Sequence, residues 1–263
     1  MVLRTMSQNA TTAQNTDDGR VSVSNTDTND TGEKQCVDLF AGIGGFSQAF
    51  EEHPDWEVTT VDIDPELEPD VVADIHDLQP SDARLPTGPG VVLASPPCTQ
   101  FSKAGNHDSW DFEDGIPTSD DARDAIALAH HTVGLIKALN PDYWFLENPR
   151  GRLRWSFRDP VATVTYCQYG KGYQKPTDLW GRHPAGMTYK SCSPGADCHN
   201  SNTEDDGYSA VASMPSGYGE RAAVPYGLSE AILDAVEGET EQQRIAHTTP
   251  GHTDAVSNWG GRS

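Results

Sequence analysis

Short apolar segments alternate with segments of helical periodicity along the first 150 residues of the chain. Strands are predicted in five segments, namely the start of residues 34–52 and residues 56–64, 70–75, 90–95 and 142–147. Residues 121–139 carry apolar side chains at helical spacing and are followed by Asn-Pro, which predicts a helix that ends there. Strands that alternate with helices predict an α/β fold with a doubly wound, mostly parallel sheet.

The pattern becomes irregular after residue 150. Two strand-like segments, residues 161–167 and 177–181, precede a stretch rich in Gly, Ser and Asp, and a last helix is predicted over residues 228–237. Both ends of the chain are polar and lack a helical or strand period, so we expect them to be disordered. The predicted organisation is a polar and acidic tail (1–33), a core (34–160), a small irregular region (161–222), a closing helix of the core (223–237) and a second tail (238–263).

Composition favours a cytoplasmic protein without a membrane partner. No apolar stretch of the sequence approaches the roughly 20 residues that span a bilayer, and the first residues lack a secretory signal. The cysteine count is five, an odd number in no regular framework, which favours a reducing compartment.

The net charge of the chain is strongly negative. Lys and Arg total 18 against 40 Asp and Glu, which gives a formal charge of -22. Such a surface ordinarily argues against nucleic acid, because phosphate contacts need basic side chains. Carboxylates spread along the whole chain, with little lysine, are also typical of adaptation to molar salt, where screening weakens that repulsion. We therefore favour a halophilic protein whose charge does not exclude DNA; an acidic face for a protein partner is the alternative.

Two groups of candidate residues lie at the carboxyl ends of the first two predicted strands, where α/β sheets bind their ligands. In the turn Phe-Ala-Gly-Ile-Gly-Gly, the residues Gly42, Gly44 and Gly45 let the backbone approach a ligand closely. Asp62 ends the next strand at the position of a ribose-binding carboxylate. A tight strand-to-helix connection and a solvated surface charge are the alternative interpretations of these two groups.

The third group combines a cysteine with a glutamate. Cys98 follows a strand and two prolines, which fix the loop and hold the thiol in place as a nucleophile requires. Glu147 ends a neighbouring predicted strand in an apolar segment, where desolvation would raise its pKa and let it hold or deliver a proton. Cys36 and Cys167 are instead expected to be inert and buried. Together, Cys98 and Glu147 predict a catalytic site.

These motifs resemble those of the cytosine-5 DNA methyltransferases. Residues 38–50 resemble the family's cofactor motif, residues 96–105 its nucleophile loop, and Glu-Asn-Pro-Arg-Gly at 147–151 its Glu-Asn motif. The likeness is strong over residues 36–154 and continues more weakly to a closing motif at 223–232. The resemblance implies the S-adenosylmethionine-dependent methyltransferase fold, with residues 161–222 as a small target-recognition region. Because that region is short, the chain is most similar to the compact enzymes of phages and archaeal viruses.

The resemblance implies methyl transfer from S-adenosylmethionine to C5 of cytosine in DNA. The thiolate of Cys98 would add to C6 of a flipped-out base, while a protonated Glu147 at N3 disperses the charge that develops in the ring. C5 would then take the methyl group, and loss of the C5 proton would expel the thiolate. Double-stranded DNA is the implied partner of a monomer, and a cognate restriction enzyme is a further candidate partner.

The family's roles carry over to individual positions of this sequence. The other catalytic candidates are Pro97, which would touch the flipped base, and Asn148, which would hold the cysteine loop. The cofactor-binding candidates are Phe40, Gly42, Gly44, Asp62 (for the ribose) and Asp74 (for the adenine amino group). The candidates for nucleic-acid contact are Ser102 in the mobile part of the loop and Lys175. Arg150, Arg152 and Arg154 form a basic cluster in an acidic chain, for which phosphate contact is favoured and a solvated helix face is the alternative.

Three segments depart from the family pattern. The expected Gln-x-Arg-x-Arg segment is present only as Tyr-Gln-Lys-Pro-Thr-Asp, in which Lys175 would replace an arginine that contacts the base and the cysteine loop. The Glu-Asn motif more often reads Glu-Asn-Val than Glu-Asn-Pro. Residues 219–224 stand where Gly-Asn is expected, which leaves that part of the cofactor site open.

A second group of cysteines lies in the irregular region. Cys192, Cys198 and His199 are close in sequence and, with Cys167, would offer four zinc ligands. Their spacing is not a standard zinc signature, so we expect unligated loop residues.

Two other functions remain open. An RNA methyltransferase that modifies tRNA would share the fold and these motifs. A catalytically idle protein that binds the cofactor or nucleic acid is disfavoured, because Cys98 and Glu147 are both present.

Overall fold

A seven-stranded sheet forms the centre of the fold. The computed structural model describes residues 34–102, 107–193, 196–198 and 222–239, all within the second of two units, which span residues 1–31 and 32–263. The strands of the sheet are β1 (Lys34–Leu39), β2 (Trp56–Asp62), β3 (Val71–Val72), β4 (Val91–Ala94), β7 (Tyr143–Pro149), β8 (Ala162–Thr165) and β9 (Pro176–Arg182). A two-stranded sheet consists of β5 (Trp110–Asp111) and β6 (Ile116–Pro117). The α-helices are α1 (Gln48–Glu51), α2 (Asp120–Leu139), α3 (Leu153–Ser156) and α4 (Tyr226–Glu237).

The order of the strands confirms the predicted α/β fold with a mostly parallel sheet. The order is β3-β2-β1-β4-β7-β9-β8, in which the first five strands are parallel and β9 runs antiparallel to both of its neighbours. The chain order reverses between β1 and β4, which is where open α/β sheets bind their ligands. The sheet continues through Arg182, beyond the core boundary predicted at residue 160. The target-recognition role of residues 161–222 stays a prediction.

Successive side chains of a strand point to opposite faces of the sheet and form a separate apolar core on each face. Val37 and Leu39 of β1 pack on the same side as α2, whereas Cys36 packs on the opposite side with α4. Such two-sided burial is characteristic of parallel strands covered by helices on both faces. The two helix layers leave the carboxyl ends of the strands open, which is where the candidate site lies.

Local polar groups explain where the elements begin and end. Helix α2 begins after Ser119, whose hydroxyl accepts a hydrogen bond from the N–H of Ala122, and ends at Asn140 with a φ of 54°. The third strand has two residues where six were predicted, because the Asp74 carboxylate caps a 3₁₀ helix over Ile75–Asp77. None of the helices in the described part of the chain is long and apolar enough to cross a bilayer.

Candidate active site

A cavity of about 460 Å³ lies at the carboxyl ends of the parallel strands. Residues that follow β1 and β2 line one side of it, and residues that follow β4 or end β7 line the other. The predicted site residues among its lining are Phe40, Gly42, Asp62, Pro97, Cys98, Glu147 and Lys175. The topology therefore brings candidates from five separate parts of the sequence to one cavity.

The glycine turn after β1 is held by the carboxylate of Asp62. Its Oδ2 accepts a hydrogen bond of 2.9 Å from the N–H of Gly42, and its Oδ1 accepts one of 3.0 Å from the N–H of Asp64. Gly42 has a φ of 56° and Phe40 one of 62°, so the turn uses the left-handed region twice in three residues. A non-glycine residue in that region is strained, and such strain is concentrated at functional sites.

The glycine turn also packs against the chain that enters α4. A Cβ on Gly45 would lie 2.5 Å from the carbonyl oxygen of Val224, so only glycine permits this approach. The hydroxyl of Ser229 donates to the carbonyl of Phe46 at 2.7 Å and accepts from the N–H of Ala49 at 3.1 Å. The residues before α4 thereby close the cavity next to the turn, as the predicted closing segment requires.

Two predicted cofactor residues lie outside the cavity lining formed by the described residues. The Oδ1 of Asp74 accepts a hydrogen bond of 2.9 Å from the N–H of His76, so this carboxylate caps a 3₁₀ helix. Gly44 donates its N–H to the carbonyl of Ala41 at 2.9 Å and shapes the turn from behind. Direct contact of Asp74 with adenine stays a prediction.

The loop that carries Cys98 is held by its own backbone and by the end of β7. The carbonyl of Cys98 accepts the N–H groups of Phe101 at 3.0 Å and Ser102 at 2.8 Å, which makes a compact turn. The amide Nδ2 of Asn148, fully buried, donates to the carbonyl of Pro96 at 3.0 Å. Asn148 therefore fixes the segment from which the thiol projects.

The Pro-Arg-Gly-Arg segment after β7 supports the same loop. A Cβ on Gly151 would lie 2.1 Å from the carbonyl oxygen of Phe101, so glycine is required where the two segments meet. The N–H of Arg152 donates to that carbonyl at 2.9 Å, and its Nη1 donates to the carbonyl of Ser102 at 2.5 Å. Arg152 is buried, with 3% of its surface exposed, and its guanidinium lies over the ring of Phe112.

Phosphate contact by the three arginines stays a prediction, and two of them have protein partners in this structure. Arg152 lies beneath the cysteine loop, and Arg154 forms a bidentate ion pair with the fully buried carboxylate of Asp178. Arg154 also donates to the hydroxyl of Thr163 at 2.7 Å. A guanidinium committed to a buried carboxylate is poorly placed to bind phosphate, because leaving would strand the carboxylate's charge. Arg150 is exposed and stays a candidate for phosphate contact.

Glu147 is buried and contacts two polar side chains. Its Oε1 accepts a hydrogen bond of 2.7 Å from the hydroxyl of Tyr166 and lies 3.9 Å from the Nζ of Lys175. Burial raises the pKa of Glu147, while Lys175 and the Tyr166 hydroxyl lower it in part. The ammonium of Lys175 lies 4.5 Å from the centre of the Tyr166 ring. Burial thus makes Glu147 a weaker acid than an exposed glutamate, and the residue lines the cavity.

Burial raises the pKa of Cys98 as well, and the carboxylate of Glu147 raises it further. Lys175 acts in the opposite direction and lowers the pKa of the Cys98 thiol. A negative charge on either group therefore disfavours a negative charge on the other. Nucleophilic addition with acid assistance requires one protonated carboxyl beside one thiolate, a pairing in which only one of the two groups is charged.

Tyr166 is the functional residue that sequence reasoning missed. It belongs to a 3₁₀ helix over Tyr166–Tyr169 that directly follows β8, and it is fully buried. Burial and the Glu147 carboxylate together raise the pKa of its hydroxyl well above the usual value, so it remains a hydrogen-bond donor. A polar aromatic residue near the end of the strand-like segment 161–167 was the available signal.

The structure also gathers three of the cysteines expected to be unligated. The sulfur atoms of Cys167, Cys192 and Cys198 lie within 4.8 Å of one another. His199, the fourth candidate, lies outside the described residues.

Comparisons with known proteins support one family. The model of the C-5 cytosine-specific DNA methylases matches residues 34–159. The probable DNA (cytosine-5)-methyltransferase of Frog virus 3 is 29% identical over 176 residues, which cover 63% of this chain and 78% of that protein. The type II methyltransferase M.XorII of Xanthomonas oryzae pv. oryzae is 29% identical over 157 residues, which cover 54% of this chain and 34% of that protein.

A solved structure of a DNA modification methyltransferase encoded within an E. coli prophage is more distant. It is 18% identical, with a TM-score of 0.41, and the likeness covers 57% of this chain and 47% of that one. A TM-score this low adds no argument, and the fold rests on the strand order itself. The match to the family model includes the glycine turn, Cys98 and Glu147, the same motifs that carry the resemblance in the sequence.

Proposed function

We propose that this chain transfers a methyl group from S-adenosylmethionine to C5 of cytosine in double-stranded DNA, through a covalent adduct between Cys98 and C6 of the base. The observation that carries the proposal is the convergence of the Cys98 thiol and the buried Glu147 carboxyl on one cavity, together with the glycine turn and Asp62. The predicted enzyme class, a DNA (cytosine-5)-methyltransferase, is confirmed by the family match and by both named relatives.

The residues around the glycine turn fit S-adenosylmethionine. Gly42 and Gly45 line the cavity, and the absence of a side chain at Gly45 lets the turn pack against the backbone of Val224. The ring of Phe40 and the carboxylate of Asp62 line the same side, and they offer an apolar surface and a hydroxyl acceptor. When bound, the cofactor supplies an electrophilic methyl group.

Cys98 and Glu147 divide the chemistry on the base. The thiolate forms a bond to C6, and the electron pair of the C5–C6 bond moves into the ring toward N3. Glu147, whose pKa burial raises, acts in its protonated form, donates to N3 and stabilises that charge. After methylation of C5, loss of the C5 proton restores the double bond and breaks the bond between sulfur and C6.

The neighbouring groups position these two residues. Asn148 holds the carbonyl of Pro96, which aims the thiol, and Tyr166 holds the Oε1 of Glu147, which aims the carboxyl. Lys175 lies beside both and favours the thiolate. A base inside a duplex could not reach a cavity enclosed in this way, so the target cytosine must be flipped out.

Covalent trapping tests the proposal most directly. Genomic DNA in which cytosine is replaced in part by 5-fluorocytosine should trap the wild-type chain, because C5 then carries no proton to lose. Cys98→Ser should give no adduct and no methyl transfer, yet bind S-adenosylmethionine as the wild type does. Cys36→Ala, a change of another buried thiol, is the matched control and should still be trapped.

Two results would contradict the proposal. An adduct with Cys98→Ser would mean that another group attacks the base. Methyl transfer to tRNA but not to DNA would favour the RNA-modifying alternative, so both substrates are offered with radiolabelled S-adenosylmethionine.

The charge of the chain supports a further part of the proposal, adaptation to high salt in a compact, monomeric enzyme of the viral type. With a formal charge of -22, the surface repels both itself and DNA at low ionic strength. We expect folding and methyl transfer to rise together as KCl increases into the molar range, measured by circular dichroism and methyl incorporation. Activity that peaks near 0.1 M and falls beyond it would contradict this part. A cognate restriction enzyme, given the type II relative, is also proposed.

A further inference from the structure

Three thiols meet at the edge of the sheet, away from the proposed active site. Cys167 lies in the 3₁₀ helix that follows β8, and Cys192 and Cys198 lie in the chain after β9. The Sγ of Cys167 lies 3.1 Å from that of Cys192 and 3.7 Å from that of Cys198. All three sulfur atoms lie within 4.8 Å of one another, although the residues are separated by 25 and 31 positions from Cys167 in sequence.

This spacing is close to that of a metal-bound thiolate cluster. Zinc in tetrahedral coordination lies about 2.3 Å from each sulfur, so two of its thiolate ligands lie roughly 3.8 Å apart. The observed distances of 3.1 and 3.7 Å differ from this by less than 1 Å, a shift that side-chain rotation can supply. Three thiolates with a fourth position for water or another group form a recognised zinc-binding set.

A disulfide explains the cluster less well. None of the five cysteines, all within the described part of the chain, forms a disulfide in this structure. A bond between Cys167 and Cys192 would use only two of the three sulfur atoms that lie together. A metal ion uses all three.

We propose that Cys167, Cys192 and Cys198 bind a structural zinc ion. Water completes the fourth position of the tetrahedral ion. The thiols lose their protons on binding, and the charge of the ion removes the repulsion that three adjacent thiolates would otherwise suffer. The site does not depend on the proposed methyl transfer.

The ion would fasten the chain after β9 onto the element that carries Tyr166. The N–H of Thr165 donates to the carbonyl of Lys190 at 3.1 Å, and the N–H of Cys192 donates to the hydroxyl of Thr165 at 2.8 Å. Cys167 is the residue next to Tyr166, whose hydroxyl holds Glu147. Zinc would therefore act as a positioning element for the acid of the active site.

Metal analysis of the purified full chain tests the site. Protein prepared without chelators should contain about one zinc per chain by mass spectrometry, and Cys192→Ser and Cys198→Ser should each lower that content at least fivefold. Cys36→Ala, a buried cysteine outside the cluster, should retain the zinc content of the wild type. Removal of zinc with a chelator should lower the Tm by at least about 4 °C.

Cobalt substitution keeps the test independent of whether the variants fold. Wild-type chain loaded with Co²⁺ should show sulfur-to-cobalt charge-transfer bands and the visible bands of a tetrahedral ion. A folded wild-type chain that takes up neither zinc nor cobalt would overturn the proposal. Three reactive thiols instead of five under non-reducing, denaturing conditions would indicate a disulfide and would overturn it too.

Discussion

The two sides of the cavity position their functional groups in different ways. On the cofactor side, residues 40–46 and 62–67, backbone conformation does the positioning through a left-handed turn and the N–H groups held by Asp62. On the catalytic side, residues 95–98, 147–149 and Lys175, buried polar side chains do it. The cofactor side therefore presents mainly backbone conformation to a ligand, whereas the catalytic side carries groups whose pKa values burial has altered.

The division predicts that substitutions on the two sides affect different kinetic constants. A change on the catalytic side should lower kcat and leave cofactor affinity unchanged. A change on the cofactor side should weaken cofactor binding and leave kcat unchanged. The variants below test this division, beginning with the largest expected effect.

Glu147→Gln should lower kcat by about two orders of magnitude or more, the range that general acid catalysis contributes. The amide can still donate to N3 but cannot deliver a proton to it. Single-turnover methyl transfer measures the effect, and calorimetry should show unchanged affinity for S-adenosylmethionine. Glu57→Gln, on the exposed face of β2, is the matched control. A kcat near that of the wild type would show that Glu147 is structural.

The sequence allowed both sides to be located, because each motif is local. The glycine turn, Asp62, Cys98 and Glu147 each lie at the end of a predicted strand, and parallel strands bring such ends together. The partners of these residues were not predictable in the same way. Tyr166 reaches Glu147 because β9 pairs with β7 on one side and with β8 on the other. The sequence periodicity of β8 and β9 is weak, so this pairing was not predictable.

The basic cluster after the Glu-Asn motif shows the same limit. Its arginines suggested phosphate contact because their acidic and carbonyl partners lie far away in sequence. Arg152 reaches the carbonyl of Ser102 and Arg154 the carboxylate of Asp178 only after the sheet has formed. The cysteine cluster likewise joins segments separated by more than 20 residues. Tertiary pairing, rather than local pattern, decides the role of such residues.

Asp62→Asn should weaken S-adenosylmethionine binding about tenfold, since a hydrogen bond to a charged acceptor contributes about 1.5 kcal/mol or more. Asparagine retains one acceptor oxygen for the N–H of Gly42, so the turn should persist. Calorimetry gives the Kd, and kcat at saturating cofactor should stay within about twofold. Asp70→Asn, an exposed carboxylate bonded to Thr60, is the control. A fall in kcat with unchanged affinity would contradict the division between the two sides.

Tyr166→Phe should lower kcat about fivefold, since one hydrogen bond of about 1 kcal/mol that orients Glu147 is lost. The Tyr166 hydroxyl lowers the pKa of Glu147, so its removal should raise that pKa. Because Glu147 acts in its protonated form, the fall of kcat at high pH should move to higher pH in the variant. Tyr169→Phe, on the same 3₁₀ helix, should leave the pH profile unchanged. An unshifted profile in Tyr166→Phe would mean that its hydroxyl only fills space.

The smallest effect on activity is expected at Asp38, a buried acid behind the cofactor turn. Burial raises its pKa from 3.8 to about 7, although hydrogen bonding with Ser47 lowers that pKa in part. The folded state therefore holds the proton more tightly than the unfolded state. The stability that this contributes is present below pH 4 and is lost as pH rises toward 7, by up to about 4 kcal/mol at 1.36 kcal/mol for each pH unit.

Asp38→Asn should remove that loss, because the amide does not ionise. Urea unfolding at pH 5 and pH 8 measures this loss of stability. The variant should be more stable relative to the wild type at pH 8 than at pH 5. Asp38 lies outside the cavity lining formed by the described residues, so methyl transfer should change by less than about twofold at pH 7. If the free energy of unfolding changes equally with pH in the two proteins, a group other than Asp38 takes up the proton. A large loss of kcat would instead show that a buried charge also acts on the cofactor side, and the contrast between the two sides would fail.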